Sequence, residues 1–118
     1  MFILANGAVA LIALLHVYIL VLEMFLWDKP AGLRAFGQSA EKAALIKVLA
    51  ANQGLYNGFL AAGLFWGLSL GAQGAAIKVF FLGCVLIAGI YGGLSVSRKI
   101  LFIQAVPAAA ALLLLWIA

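Results

Sequence analysis

Charge is what this chain has least of. Seven Lys or Arg and three Asp or Glu make up 8% of its 118 residues. A soluble domain carries about 25% charged and about 45–50% apolar residues. Here 69% are hydrophobic and mean hydropathy is +1.28. That leaves too little polar surface to coat a globule in water, which excludes the soluble and disordered classes. A single cysteine, Cys84, excludes an internal disulfide, a thiolate metal cluster and a disulfide-stapled secreted scaffold; it reads as a small packing residue. One histidine and one carboxylate inside an apolar segment do not make a zinc site of the usual kind. No Ser–His–Asp set is evident, because Asp28 falls in a loop. No strand precedes a Gly-rich turn, so no phosphate loop is expected. The net charge of +4 and pI near 9.6 come without a basic stripe or an aromatic platform, so nucleic acid is not the expected partner.

What is present is long apolar runs. A membrane span needs roughly 20 such residues to cross about 30 Å of hydrocarbon. The chain therefore reads as an all-α integral membrane four-helix bundle, a single four-span domain over 1–118, with the lipid bilayer as solvent. The expected spans are about 2–27, 43–70, 75–97 and 100–118. No basic region precedes the first apolar run, and that run outlasts a signal-peptide core, so it is expected to be a retained span. Trp27 reads as an interfacial anchor, followed by Asp28-Lys29-Pro30 as a stop. A loop over about 28–42 carries most of the charge; in it Ser39 is an N-cap candidate with Glu41 in the first turn. Gly71 and Gly74 mark a turn, and Pro107 predicts a kink in the fourth span. Cations are expected at span ends, facing headgroups. Lys29, Arg34, Lys42, Lys47, Arg98 and Lys99 flank loops one and three, and only Lys78 lies at the other side. The positive-inside bias then puts loops one and three in the cytoplasm and both termini outside. Small residues at Gly54, Gly58, Ala62, Gly89 and Gly93 permit close helix contact, within one chain or in a homodimer.

Polar groups in hydrocarbon are costly and mark function or interhelical bonding. His16 and Glu23 are seven apart, on one face about 10 Å apart along the axis. Asn52, Gln53, Tyr56 and Asn57 fall in an arc of roughly 140° on the second span, away from the Gly54/Gly58 stripe. Tyr91 and Ser95 share a face of the third span, and Gln104 lies in the fourth. Helical rise places nearly all of them in the cytoplasmic half, which suggests an inward-opening polar cavity with Glu23 and Lys47 near its mouth and His16 near its floor. The bland alternative is interhelical bonding, with Glu23 paired to Lys47 or Asn52 and His16 to Asn57 or Tyr56. Trp66 and Trp116 read as belt residues.

The runs His16-Val-Tyr18-Ile19 through Glu23-Met24-Phe25-Leu26-Trp27, and Ala51-Asn52-Gln53-Gly54-Leu55-Tyr56-Asn57-Gly58-Phe59, resemble the small bacterial integral membrane family catalogued as domain of unknown function 1304. The likeness spans essentially the whole chain. It implies an inner-membrane four-helix protein and no activity. The family's hallmark positions match here as His16, Tyr18, Glu23, Trp27, Asn52, Gln53, Tyr56 and Asn57. Length, span number and a first-span carboxylate are also similar to small multidrug transporters, although Glu23 lies near the cytoplasmic end rather than mid-membrane. Emopamil-binding-type sterol isomerases likewise place His, Glu, Trp and Asn in a membrane cavity, with more carboxylates than this chain has.

The leading expectation is a binding protein for a small amphipathic or lipid-like molecule, held by His16, Glu23, Asn52, Gln53, Tyr56, Asn57, Tyr91 and Gln104, with no metal and with any cofactor left open. The alternatives are a proton-coupled exporter working through Glu23, an isomerase-like enzyme with His16 and Glu23 as acid and base, and a structural subunit of a membrane complex. An enzyme is not the favoured reading.

Overall fold

A computed structural model describes residues 2–118; they are all-helical, with no strand among the described residues. The order is α1 (Phe2–Met24), α2 (Pro30–Phe36), α3 (Ala40–Leu45), α4 (Lys47–Ser69), a 3₁₀ turn (Gly71–Gly74), α5 (Ala75–Ser95), a π segment (Leu101–Ala105) and α6 (Val106–Ile117). Two helices, Phe2–Met24 and Gly71–Ser95, are long and apolar enough to cross a membrane; Leu101–Ile117 is a shorter apolar helix.

The region 28–42, expected as a loop, holds two short helices. Pro30 does not simply stop the chain; it opens α2, where its missing N–H costs nothing and its fixed φ suits the first turn. Gly37 closes α2 in the left-handed conformation (φ 59°), its N–H bonded to the last carbonyls. Ser39 is an N-cap, its hydroxyl accepting from the Lys42 N–H at 3.2 Å. It caps the six-residue α3, and α4 starts afresh at Lys47 after a break at Ile46. The Gly71 turn has φ 61°, which glycine adopts without the Cβ penalty. Before Pro107 the helix widens into the π segment. A proline ring clashes with the carbonyl four residues back in a regular α-helix, and a wider turn relieves that contact.

The chain divides into two compact units: residues up to Leu14 together with Leu60–Ala118, and Leu15–Phe59. In the first, Val9, Ile12 and Ala13 of α1 form a core with Leu64 of α4, Leu82 and Val85 of α5, and Ala108 and Ala111 of α6. A Cβ at Gly89 would strike the Ala105 backbone, and one at Gly93 the Leu101 side chain. These glycines set the closeness of α5 to the π segment.

In the second unit the core is Trp27, Ala43 and Ala50, with Leu33 packed against it. Trp27, expected as an interfacial anchor, is packed into this core. Only 7% of its surface is exposed, its Nε1–H donates to the Ala43 carbonyl at 3.0 Å, and its ring lies 4.9 Å from that of Phe36. Gly32 lets α2 press on the Leu26 and Trp27 carbonyls, where any Cβ would collide. Gly54 and Gly58 of α4 face α1: a Cβ on Gly54 would come within 2.6 Å of Met24 Cγ and 3.1 Å of Glu23 Cβ, and one on Gly58 within 2.6 Å of Leu20 Cδ1. The Gly54/Gly58 stripe is the close-contact face expected from small residues.

Candidate functional site

Within the second unit, six expected site residues sit on two helices. His16 and Glu23 lie on the end of α1, and Asn52, Gln53, Tyr56 and Asn57 on the start of α4. Rotation of α4 decides which of them meet. Gly54 and Gly58 face α1, and the polar arc, expected on the other side of α4, nevertheless has one edge that reaches that helix. That edge is Asn57. Its side-chain amide donates to Glu23 Oε1 at 2.6 Å. Glu23 is only 6% exposed, and His16 is fully buried. Asn52, Gln53 and Tyr56 are exposed. The Tyr56 ring packs edge-on against Phe59, with centroids 5.8 Å apart.

Glu23 is not paired with Lys47. The lysine instead forms an ion pair with Asp28 at 3.0 Å. Both partners are partly solvated there, and the Lys47 hydrogen bond holds the Asp28 carboxyl below the usual carboxylate range, with the nearby positive charge of Lys29 adding to it. The first unit holds the two remaining expected residues. Tyr91 of α5 is 75% exposed, and the Ser95 hydroxyl beneath it donates to the Tyr91 backbone carbonyl at 2.6 Å, a helix-internal bond. Gln104 lies half-buried in the π segment. No group of three His, Cys, Asp or Glu able to hold a metal ion occurs among the described residues.

Chemically, a carboxylate shielded from solvent and held by an amide can accept from an amine or hydroxyl head, and the exposed amides of Asn52 and Gln53 add donors and acceptors on the same helix. Sequence reasoning missed one polar residue. Lys78, expected as an end-of-span cation, is buried: it is 1% exposed, the largest fully buried side chain among the described residues. Its ammonium donates to Asn6 Oδ1 at 2.9 Å. The signal was available: Lys78 is the one charge between Lys47 and Arg98.

Comparison with known proteins shows the family of the chain. The model of the family described as protein of unknown function (DUF1304) matches residues 10–116. The uncharacterized protein YpaA of Lactococcus lactis subsp. lactis (strain IL1403) is 30% identical over 96 residues, covering 80% of this chain and 81% of that protein. No solved structure is significantly similar. With its match running through both polar helices and nearly to the last residue, the chain belongs to the DUF1304 family.

Proposed function

We propose that this chain is a multi-pass protein of the bacterial inner membrane that binds a small amphipathic or lipid-like molecule through the polar residues of α1 and α4. In this reading four segments cross the bilayer: α1, α4, α5, and the π segment with α6. Helix α4 is 23 residues, about 34 Å at 1.5 Å per residue, long enough to span. Its hydropathy is lowered by Asn52, Gln53 and Asn57, the residues the binding reading uses. Loops one and three, with six of the seven cations, lie on the cytoplasmic side and both termini outside.

The observation that carries the binding reading is the Asn57–Glu23 hydrogen bond at 2.6 Å. A carboxylate kept in an apolar helix pair is costly, and a fixed position for it is what recognition of a polar head requires. Asn52, Gln53 and Tyr56, exposed on α4, orient that head, and buried His16 supplies a second titratable group on the face of Glu23. The test is a native mass spectrum of the purified protein. A retained small molecule of one chemical class is expected, released in Glu23→Gln and in Asn57→Ala variants that keep their helical circular dichroism. A bare wild-type chain, or retention unchanged when either substitution is made in a Lys78→Met protein, contradicts the reading.

A further inference from the structure

The first unit holds a feature of its own. A cavity of about 540 Å³ is lined by Phe2, Lys78, Val79, Leu112, Leu115 and Trp116, among other apolar groups. Its volume lies in the range of small-molecule sites, about 300–1,000 Å³. Lys78 is the one charged side chain in its wall, and Ala118, the last residue of the chain, lines it too.

The lysine is built in. Its stem lies against Gly67, where a Cβ would come within 2.7 Å of Lys78 Cγ and 3.1 Å of its backbone nitrogen; the glycine makes the room. The ammonium has three protons to donate. Asn6 Oδ1 takes one at 2.9 Å, and the Phe2 ring centroid lies 5.5 Å away. Among the described residues no carboxylate lies within ion-pair distance of it. A tie between α1 and α5 needs only a neutral donor, and a buried cation is costly unless an anion meets it. Lys78 is also the fourth residue of α5, near the positive end of the helix, where a cation is disfavoured and an anion favoured. Charge, helix polarity and an apolar lining all ask for the same occupant.

We infer that this cavity binds an anionic amphipath, its carboxylate or phosphate meeting Lys78 and its apolar chain lying along Leu112, Leu115 and Trp116. The head displaces the Phe2 ring from the ammonium, and Asn6 remains as its second partner.

Trp116 supplies the readout. The full chain in non-ionic detergent is titrated with a bromine-labelled medium-chain fatty acid, with its uncharged methyl ester, and with bromine-labelled phosphatidylglycerol and phosphatidylcholine. Saturable quenching by an anionic probe, reduced when Trp116→Phe removes the reporter, is expected. Binding should weaken about tenfold or more in Lys78→Met, the loss of one charge-assisted hydrogen bond. The methyl ester and phosphatidylcholine should be weaker by a similar factor on the unaltered protein, a comparison that needs no variant to fold. Preference for the fatty acid assigns a free carboxylate, and preference for phosphatidylglycerol assigns a lipid phosphate. Equal quenching by the anionic probes and by the net-neutral ones (the methyl ester and the zwitterionic phosphatidylcholine), or none that saturates, overturns the inference. Neither result depends on Glu23 or Asn57.

Discussion

Asn57 and Glu23, thirty-four positions apart, meet through a 2.6 Å hydrogen bond from the amide to the carboxylate. The glycines beside Asn57 bring it there: Gly54 and Gly58 set α4 against α1, and the polar residue next to them in the helical arc falls on the carboxylate. Removing the donor strands a nearly buried acceptor. Asn57→Ala should therefore destabilise the protein by about 1–3 kcal/mol, read as a lower denaturation midpoint in detergent. Glu23→Gln, which keeps an amide acceptor at the site, should cost less.

The two glycines should respond differently to alanine. In a helix interior Gly→Ala alone favours folding by about 1 kcal/mol. At Gly58 the new methyl meets only the end of the flexible Leu20 side chain, so Gly58→Ala should be near neutral. At Gly54 it meets Met24 Cγ, Glu23 Cβ and the Leu20 carbonyl. Overpacking of that kind costs about 1–3 kcal/mol, and it pushes Glu23 out of register with Asn57. Thermal unfolding of the two variants side by side checks the order.

Trp27 should behave as a core residue. Trp27→Phe keeps most of the ring but leaves the Ala43 carbonyl without its donor, at about 1–3 kcal/mol. Trp27→Ala should cost about 3–5 kcal/mol. Hydrogen exchange of the 30–45 segment should accelerate in both.

Asp28 sets an acid-side dependence. Its carboxyl titrates below the usual range in the folded chain, chiefly because of the Lys47 hydrogen bond. A depressed folded value adds stability above the unfolded pKa of about 3.9, and that contribution is lost as pH falls through the folded value. Wild type and Asp28→Asn should therefore differ in melting temperature at neutral pH and converge as the medium becomes acidic. A difference that persists unchanged to the acid limit would assign the effect to something other than this ion pair.

Local signals in the sequence were reliable guides to local structure. Ser39 caps a helix, Gly71 and Gly74 make a turn, and Pro107 marks an irregular helix, because each acts within four residues of itself. Positions decided at long range were not legible. Trp27 reads as a membrane-belt residue until Ala43, sixteen positions on, takes its N–H. Lys78 reads as a span-end cation until Asn6, seventy-two positions back, takes its ammonium. The arc of Asn52, Gln53, Tyr56 and Asn57 follows from helical period alone. Which edge of that arc meets α1 does not, since rotation about the helix axis is set by the packing of Gly54 and Gly58. Periodicity thus supplied the residues of the candidate site, and packing selected the Glu23–Asn57 pair.

The proposed role of the Glu23–Asn57 pair is in a binding site for an amphipathic molecule. Native mass spectrometry of the detergent-purified chain tests it most directly. On a Lys78→Met background, a reproducible adduct of one chemical class is expected, and it should disappear in folded proteins when Asn57→Ala or Glu23→Gln is added. An adduct that survives both of those additions, or a Lys78→Met chain that flies bare, is the opposite result.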